Sequence, residues 1–419
     1  MRYDVSVIGL GRIGLPLALS FADAGLSVLG VDKDQDRLAA LAERRMPFKE
    51  PGTDELLSRV ELGLSSLAAD AAQVDAIVLT LGTPALSHIE IDMGDIRAVL
   101  DDLLPLLRED HTLVLRSTVA PGTTEFVAGY LEKQRGFRVG EDIFVAHVPE
   151  RIAADRFMEE IGTLPCIVGG VGEGSGERAA RLFEPFGAPI VQTTPVQAEL
   201  AKIWTNILRY ATFALPNLLM MDCERHGANV FDVIELINRD YPRGGMAQPG
   251  LTAGTCLRKD FAFSEERSSA PGMLLAVSRV HETVPLFLVD GIKRRLGEGG
   301  LRERKVAVLG LAFKRDTDDE RDSLSHKLIR LLERELADVT VCDPVVATPT
   351  QPFEEAVRDA DAVVVATNHS AFDERLSDVL ELAADGCLIV DPWNCFGSAQ
   401  VFAYGAEVAA LARQPEASG

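Results

Sequence analysis

The residues between positions 5 and 32 constrain the fold of this chain more than any other stretch. The segment VSVIGLGRIG carries glycines at positions 9, 11 and 14, directly after an apolar strand-like run and before a helix-like run. A second apolar run ends at Asp32, eighteen residues after Gly14. A G-x-G-x-x-G pattern in this context, with an acid at about that distance, predicts a βαβ unit with a dinucleotide-binding turn.

This turn suits the pyrophosphate of a dinucleotide. Gly9, Gly11 and Gly14 permit a tight turn and a close approach of the pyrophosphate to the backbone. Arg12 and Ile13 complete the loop, and the helix that follows presents free N–H groups at its N-terminus to the phosphates. An acid after the second strand can accept hydrogen bonds from the adenosine ribose and opposes a 2′-phosphate, so NAD is favoured over NADP. The neighbouring Lys33 leaves some use of NADP open, and a plain tight turn is the alternative structural interpretation.

Strand-like and helix-like runs alternate at both ends of the chain, whereas the middle is helical. The strand-like runs lie at 4–11, 26–32, 75–81, 112–118, 142–148, 305–311, 338–344, 361–367 and 387–393. This alternation predicts an α/β protein in which two Rossmann-like parallel-sheet domains are joined by a central helical segment with a long helix. We expect an N-terminal NAD-binding domain over 1–195, a central segment over 196–300, a second α/β domain over 301–410 and a disordered tail over 411–419.

Composition argues against several classes of protein. Lys and Arg total 42 against 64 Asp and Glu, and a formal charge of −22 disfavours nucleic acid or an anionic membrane as a partner. The N-terminus is interrupted by Asp4 and glycines, unlike a signal peptide, and the apolar run 210–221 is too short to span a bilayer. The six cysteines form no C-x-x-C pair, so we expect a cytoplasmic protein without disulfides or a metal site.

The stretch TAGTCLRKD, residues 252–260, surrounds a cysteine with the features that a nucleophile needs. Cys256 follows a glycine-containing loop, and a helix beginning near residue 257 would place the sulfur at its positive end and favour the thiolate. Lys259 supplies a nearby cation, and Asp260, one turn further on, could order a water over the sulfur. A buried cysteine in a glycine turn is the alternative interpretation.

Two other lysines are candidates for ligand contacts. Lys202 and Asn206 are four residues apart on a predicted helix and therefore share a face, although a structural role is the alternative. Lys314 follows the strand-like run 305–311. The glycine at the end of that run, Gly310, is not followed by the second and third glycines of a dinucleotide-binding turn, so this half should not hold a dinucleotide. A lysine at this edge of a sheet can bind a ligand phosphate or can simply be solvated.

The ordered motifs of this chain resemble those of the UDP-glucose/GDP-mannose dehydrogenase family over about residues 2–400. The matching motifs are the glycine loop at 9–14, STVAPGTT at 117–124, VPER at 148–151, AELAKIWTN at 198–206, GTCLRKD at 254–260 and GLAFKRDTDDERDS at 310–323. The resemblance implies two Rossmann-like domains around a long central helix. It also implies oxidation of a sugar C6 alcohol to a carboxylate with two NAD.

The resemblance assigns chemical roles to five of the matched residues. Cys256 is implied as the nucleophile, which forms a thiohemiacetal and then a thioester that water cleaves. Lys202 is implied to stabilise oxyanionic intermediates, with Asn206 as a second donor. Asp260 and Thr118 resemble the pair that orders or activates water.

Further matched residues are implied to act in hydrolysis or in ligand binding. Glu150 resembles an acid linked to thioester hydrolysis, and Lys314 a lysine that binds the substrate phosphate. Arg321 resembles an arginine that reaches the cofactor, and Arg243 one that contacts the sugar in the partner subunit of a homodimer. The resemblance also assigns Thr83 and Thr118 to the cofactor site, and it assigns to the substrate site Glu150, Arg151, Lys202, Asn206 and Gly254.

Two departures from the family pattern bear on the substrate. Ala253-Gly254-Thr255 stands where UDP-glucose dehydrogenases usually have Gly-Gly-Ser, and the PER motif is more typical of members that act on UDP-N-acetylhexosamines. We therefore expect UDP-N-acetylmannosamine or UDP-N-acetylglucosamine, with UDP-glucose as the alternative. A two-electron dehydrogenase of the 3-hydroxyacid or 6-phosphogluconate type is disfavoured, because it lacks the cysteine and a second α/β domain. A nucleotide-sugar-binding protein that has lost catalysis is the alternative from another class.

Overall fold

The computed structural model describes residues 3–83, 92–265 and 272–411. Over these residues the chain divides into two compact units, Met1–Asn206 with Lys259–Ser268, and Ile207–Arg258 with Ser269–Gly419. Each unit therefore consists of two separate stretches of sequence, and the boundaries at 206/207 and 258/259 fall inside helices. The predicted tail lies outside the described residues beyond position 411.

The first unit is built on an eight-stranded sheet. Its strands are β1 (Val5–Ile8), β2 (Val28–Val31), β3 (Leu62–Ser65), β4 (Ala76–Leu79), β5 (Thr112–Leu115), β6 (Phe144–His147), β7 (Cys166–Gly170) and β8 (Ile190–Thr193). They lie in the order β3-β2-β1-β4-β5-β6-β7-β8, and all neighbours are parallel except β6 and β7. In β1, Val5 and Val7 pack into one core cluster and Ile8 into another. This alternation is expected of a strand that is covered on both faces.

Helices cover this sheet and lead into the second unit. They are α1 (Gly14–Asp23), α2 (Gln35–Ala42), α3 (Thr53–Arg59), α4 (Gly94–Leu103), α5 (Thr123–Arg135), α6 (Phe157–Glu160), α7 (Glu173–Phe183) and α8 (Pro195–His226). Helix α8 has 32 residues and confirms the predicted long central helix; it begins at Pro195, one residue before the start of the predicted central segment. In the described ranges no helix is both long enough and apolar enough to cross a membrane.

The second unit contains a five-stranded sheet and the remaining helices. Its strands are β9 (Lys305–Leu309), β10 (Asp338–Cys342), β11 (Ala362–Val365), β12 (Leu388–Val390) and β13 (Phe402–Tyr404). Their order is β10-β9-β11-β12-β13, with only the β12–β13 pair antiparallel. The helices are α9 (Val230–Asn238), α10 (Thr255–Glu265, which crosses between the units), α11 (Met273–Leu296), α12 (Leu324–Arg334), α13 (Phe353–Val357), α14 (Leu376–Leu382) and α15 (Gly405–Leu411). The predicted α/β class with two Rossmann-like sheets is confirmed.

A matching turn follows the first strand of each sheet. Gly9 and Gly310 have φ angles of 99° and 98°, a region that favours glycine. The residue after each glycine donates its N–H to a carboxylate that follows the next strand, to Asp32 in the first unit and Asp343 in the second, at 2.6 Å in both. The two α/β halves therefore share this turn and its hydrogen bond to a carboxylate. The sequence alone indicated only that both halves alternate strands and helices.

The carboxylate of the second turn is closed off from ligands. Asp343 is buried, and His369 lies with Nε2 3.0 Å from Oδ2. Its other donors are the backbone N–H groups of Leu311, Ala312, Val345 and Val346. Burial alone would raise the pKa of Asp343, but these hydrogen bonds, led by His369, hold it well below its usual range. A carboxylate with five donors has no lone pair left for a ribose, which supports the prediction that this half does not hold a dinucleotide.

Candidate active site

The glycine loop between β1 and α1 has the shape that a pyrophosphate requires. A Cβ on Gly14 would lie 1.8 Å from the carbonyl oxygen of Gly9, so strand and helix pack too closely for any side chain. A Cβ on Gly11 would meet nothing within 4 Å, so this glycine faces open space. A cavity of about 510 Å³ begins here and is lined by Gly9, Gly11, Asp32 and Thr80 among others. The described residues thus fit a dinucleotide bound along the loop.

The acid at the end of β2 is held in place by its neighbours. Asp32 is 6% exposed, and its Oδ2 accepts hydrogen bonds from the Leu10 N–H and from Arg37 Nη1, the latter at 2.7 Å. Lys33 instead pairs with Asp95 at 3.0 Å on the surface. Arg37 was not a predicted site residue, and only its position five residues after Asp32 could have indicated it. The cation paired with Asp32 is therefore Arg37 rather than Lys33.

Three predicted residues meet in a buried cluster of the first unit. Asn206 Nδ2 donates to Asp260 Oδ2 at 2.6 Å, and Lys202 lies one turn before Asn206 on α8. All three side chains are buried, and Asp260 Oδ1 has no hydrogen-bond partner among the described residues. Burial raises the pKa of Asp260, while the charges of Lys202 and Lys259 and the hydrogen bond from Asn206 oppose the rise. The carboxyl is therefore poised to exchange a proton more easily than an exposed aspartate.

Lys259, which the sequence indicated only as a nearby cation, connects two other predicted residues. Its Nζ donates to both the carbonyl oxygen and the hydroxyl of Thr83, each at 2.8 Å. The Thr83 hydroxyl donates in turn to the carbonyl oxygen of Thr118 at 2.9 Å. Lys259 is buried, so the ammonium fixes the backbone around both threonines rather than facing solvent.

Glu150 is held by an arginine that no motif had indicated. Arg116 Nη2 forms a buried ion pair with Glu150 Oε2, and Glu150 Oε1 accepts from the Ile152 N–H at 2.6 Å. Arg151 Nη2 donates to the carbonyl oxygen of Pro165 at 2.5 Å. Both charged residues of the PER motif therefore have local partners that set the shape of this turn.

Two of the predicted motifs are joined by Glu199. Its carboxylate accepts from the Gly122 N–H at 2.6 Å, the Thr124 N–H at 2.8 Å and the Thr124 hydroxyl at 2.6 Å. These donors stand at the start of α5, where N–H groups lack partners within the helix. Burial raises the pKa of Glu199, and the three hydrogen bonds oppose that rise. The turn of STVAPGTT is thus fixed to the part of α8 that carries Lys202.

Cys256 lies in the second unit as the second residue of α10. Its side chain is exposed, and none of the six cysteines forms a disulfide in the described ranges. The helix begins at Thr255, close to the predicted start, so the thiol stands where the helix dipole favours a thiolate. Gly254 has a φ of 101°, and a Cβ there would lie 2.6 Å from the Phe313 ring. The residue two before the thiol must therefore be glycine.

The first turn of α10 is tied to the segment between β9 and α12. Arg258 pairs with Glu282 at 2.7 Å and with Asp322 at 3.5 Å. Arg321 donates two hydrogen bonds to Asp319, at 2.8 and 2.7 Å, and these are the main cause of its raised pKa. The half-buried Lys314 belongs to the same segment.

Arg243 is exposed in the loop after α9. Its Nε donates to the Tyr241 hydroxyl at 3.0 Å, and its guanidinium lies 4.7 Å from the centre of the Tyr241 ring. A stacked, surface-exposed arginine of this kind keeps most of its donors available for another molecule.

The predicted residues are therefore divided between the two units. The first unit contains Gly9, Gly11, Arg12, Ile13, Gly14, Asp32, Thr83, Thr118, Glu150, Arg151, Lys202, Asn206 and Asp260, and the second contains Arg243, Gly254, Cys256, Lys314 and Arg321. In the described ranges no group of three or more His, Cys, Asp or Glu side chains is arranged to hold a metal ion.

Family models match three consecutive parts of the chain. All three belong to the UDP-glucose/GDP-mannose dehydrogenase family: the NAD binding domain over residues 3–187, the central domain over 196–283 and the UDP binding domain over 307–398. The first match agrees with the glycine loop and confirms NAD as the cofactor.

Individual relatives cover most of the chain. A UDP-N-acetyl-D-mannosamine dehydrogenase of Pyrococcus horikoshii is 31% identical over 88% of this chain and 90% of the relative. An NDP-N-acetyl-D-galactosaminuronic acid dehydrogenase of Ralstonia nicotianae is 31% identical over 90% and 93%. A solved structure of UDP-D-ManNAc dehydrogenase from P. horikoshii is 30% identical, covers 94% of this chain and 96% of its own, and has a TM-score of 0.87. The chain therefore belongs to the UDP-glucose/GDP-mannose dehydrogenase family and is an NAD-dependent nucleotide-sugar dehydrogenase.

Proposed function

We propose that this enzyme oxidises the C6 hydroxyl of a UDP-N-acetylhexosamine, UDP-N-acetylmannosamine or UDP-N-acetylglucosamine, to the carboxylate. The observation that carries the four-electron reaction is Cys256, exposed in the first turn of α10 after a glycine that no other residue can replace. The names of the similar proteins from P. horikoshii and R. nicotianae support an N-acetylated sugar.

The reaction balances as two hydride transfers and one hydrolysis. When bound, NAD supplies the hydride acceptor for both oxidations. The first oxidation converts the alcohol to the C6 aldehyde, and the Cys256 thiolate adds to this carbonyl to form a thiohemiacetal. Loss of the second hydride leaves a thioester, and water cleaves it to the sugar carboxylate and the thiol.

The buried cluster of the first unit supplies the polar groups that these steps need. Lys202 stabilises the negative charge that develops on the C6 oxygen, and Asn206 is a second donor. Asp260, whose pKa is raised by burial, exchanges protons with the attacking water, and Thr118 helps to order that water. Glu150 acts in the hydrolytic step from the position that Arg116 sets.

The matched motifs supply the ligand contacts that we propose. The residues that bind NAD are Gly9, Gly11, Arg12, Ile13, Gly14, Asp32, Thr83, Thr118 and Arg321. Lys314 binds the phosphate of the sugar nucleotide. The remaining substrate contacts that we propose are Arg151, Gly254 and Arg243.

The purified enzyme is expected to form two NADH for each UDP-sugar consumed, because the aldehyde stays bound until it is oxidised. The measurement is NADH absorbance against sugar acid, with UDP-N-acetylmannosamine, UDP-N-acetylglucosamine, UDP-glucose, UDP-galactose-type sugars and GDP-mannose as substrates. Fastest turnover of UDP-glucose would favour the alternative substrate. One NADH per sugar with aldehyde release would refute the four-electron mechanism, and binding without NADH would indicate a protein that has lost catalysis.

We propose further that the enzyme is a homodimer in which Arg243 reaches the sugar site of the partner subunit. Four leucines in the helical part of the second unit are exposed: Leu208, Leu215 and Leu218 on α8 and Leu236 on α9, with 67%, 56%, 52% and 69% of their surface accessible. Exposed large apolar side chains are typical of an interface between copies of a chain.

Light scattering is therefore expected to give twice the chain mass of 45.3 kDa. Leu215→Glu should yield a monomer, because it introduces a charge into the apolar surface, while Leu106→Glu, at an exposed leucine of the first unit, should leave the dimer intact. A wild-type monomer at micromolar concentration would contradict the proposal.

A further inference from the structure

The loop before Cys256 is held by a buried amide of the second unit. Asn217, on α8, has no exposed surface. Its Oδ1 accepts from the Gly250 N–H at 2.8 Å, and its Nδ2 donates to the Gly250 carbonyl oxygen at 2.9 Å. A Cβ on Gly250 would lie 2.4 Å from the Trp393 ring, so this position cannot carry a side chain that would anchor the loop. Asn217 therefore binds both the N–H and the carbonyl oxygen of Gly250.

A histidine on α11 fixes the orientation of this amide. His281 Nε2 lies 2.9 Å from the carbonyl oxygen of Tyr210, which can only accept, so the ring proton is on Nε2. Nδ1 is then an acceptor, and it lies 3.4 Å from Asn217 Nδ2. The imidazole also stacks on the Tyr210 ring with centroids 4.2 Å apart. Burial lowers the pKa of His281 to about 4, so the ring stays neutral near neutral pH.

The segment from Gly250 to the thiol is short and closely packed. Leu251 and Ala253 are 3% and 2% exposed, and Gly254 lies against the Phe313 ring. The Gly250 carbonyl oxygen also accepts from the Thr252 N–H at 2.9 Å, so the part of the loop that Asn217 holds continues directly into Ala253 and Gly254. A displacement at Gly250 is therefore passed along the chain to the start of α10, where Cys256 stands.

We propose that Asn217 is a positioning residue for Cys256, and that His281 locks the Asn217 amide in the one orientation that binds Gly250. The proposal rests on the proposed role of Cys256 as nucleophile. Asn217 and His281 do not touch the reacting atoms; they act by setting where the sulfur lies. Displacement of a reacting group by about 1 Å can cost on the order of 100-fold in rate, so a modest shift of the loop is enough.

The test compares Asn217→Leu and His281→Phe with two reference variants in the full-length enzyme. His281→Gln retains a donor for Tyr210 and an acceptor for Asn217. Val284→Ala removes two buried methyl groups from the core cluster that also contains Leu251 and Ala253, three residues after His281, and leaves the hydrogen bonds of Asn217 in place. The readouts are the rate at which iodoacetamide alkylates Cys256, corrected with Cys256→Ala, together with kcat, the KM for NAD and the melting temperature.

Asn217→Leu and His281→Phe should each change the alkylation rate by about tenfold and lower kcat by about 10- to 100-fold. Their KM for NAD should stay within about twofold, because the glycine loop belongs to the other unit's sequence. His281→Gln should recover most of both rates. Val284→Ala should lower the melting temperature but leave the alkylation rate and kcat nearly unchanged.

Wild-type alkylation and kcat in a folded Asn217→Leu enzyme would overturn the positioning role. So would a Val284→Ala enzyme that alters both rates as much as the two test variants, because general destabilisation would then explain them. If Asn217→Leu does not fold, His281→Phe decides by the same measurements. Failure of the proposed function is distinguishable, because it would appear as a Cys256→Ala enzyme that retains turnover.

Discussion

Replacement of Cys256 by alanine is expected to abolish formation of the sugar acid, with kcat lowered by at least about 10³-fold. Without the thiolate no thioester can form, and the second hydride has no activated donor. The affinity for NAD should remain, because the glycine loop and Asp32 are untouched. The measurements are acid production by chromatography and NAD binding by calorimetry.

Cys395→Ala is the matched control for this variant. Cys395 is half-buried, and burial with nearby carboxylates raises the pKa of its thiol to about 12, so it stays protonated and unreactive. This substitution should leave kcat within about twofold. Near wild-type acid production by Cys256→Ala would show that the cysteine is not the nucleophile.

Replacement of Lys202 by methionine should lower kcat by about 10²- to 10³-fold, the usual cost of losing one oxyanion donor. Methionine keeps the length and apolar stem of the side chain but removes the charge. Among the groups that oppose the burial-raised pKa of Asp260, Lys202 acts most strongly, so that pKa should rise further in the variant. If the plot of kcat against pH has a limb that reports the titration of Asp260, this limb should move to higher pH. Initial rates measured across a pH series would show the shift.

A lysine outside the cluster provides the comparison. Lys293 pairs with Glu335 at 2.7 Å on the partly exposed side of α11. Lys293→Met should change neither kcat nor its pH profile, because a pair of this kind is worth about 1 kcal/mol or less. An unchanged kcat in Lys202→Met would exclude the oxyanion role and leave only a structural one.

Much of the fold could be predicted because it depends on local patterns. All nine strand-like runs occur as strands, since continuous apolar runs bounded by turn residues are typical of a buried parallel sheet. Four strands were not predicted: β3, β7, β8 and β13. Of these, β3, β7 and β8 are only partly buried and so do not form continuous apolar runs. The reversal between β6 and β7 had no local signal either, because side-chain alternation is the same in both strand directions.

Candidate site residues could be predicted from the sequence where they lie in short motifs, but contacts between positions that are distant in the sequence could not. The glycines and Cys256 could be found because their spacing to the flanking elements carries the chemistry. Arg116 pairs with a residue 34 positions away and Glu199 with residues 75 and 77 away, so neither contact leaves a pattern in one sequence. Asn217 is similar, because an asparagine inside a helix usually indicates nothing more than a polar surface.

Residues 259–265 belong to the first unit although they follow a long stretch of the second unit in the sequence. This arrangement determines when the contacts of the first unit can form during synthesis. Thr83 and Lys259, which share two hydrogen bonds, are separated by 176 residues, and Asn206 and Asp260 by 54. During synthesis the eight strands and the glycine loop leave the ribosome well before α10 does, and domains generally fold as units from the N-terminus. The nascent chain can therefore form the nucleotide-binding turn early. The Asp260 carboxylate, whose pKa the charge of Lys202 lowers, is added only after more than half of the protein has been translated.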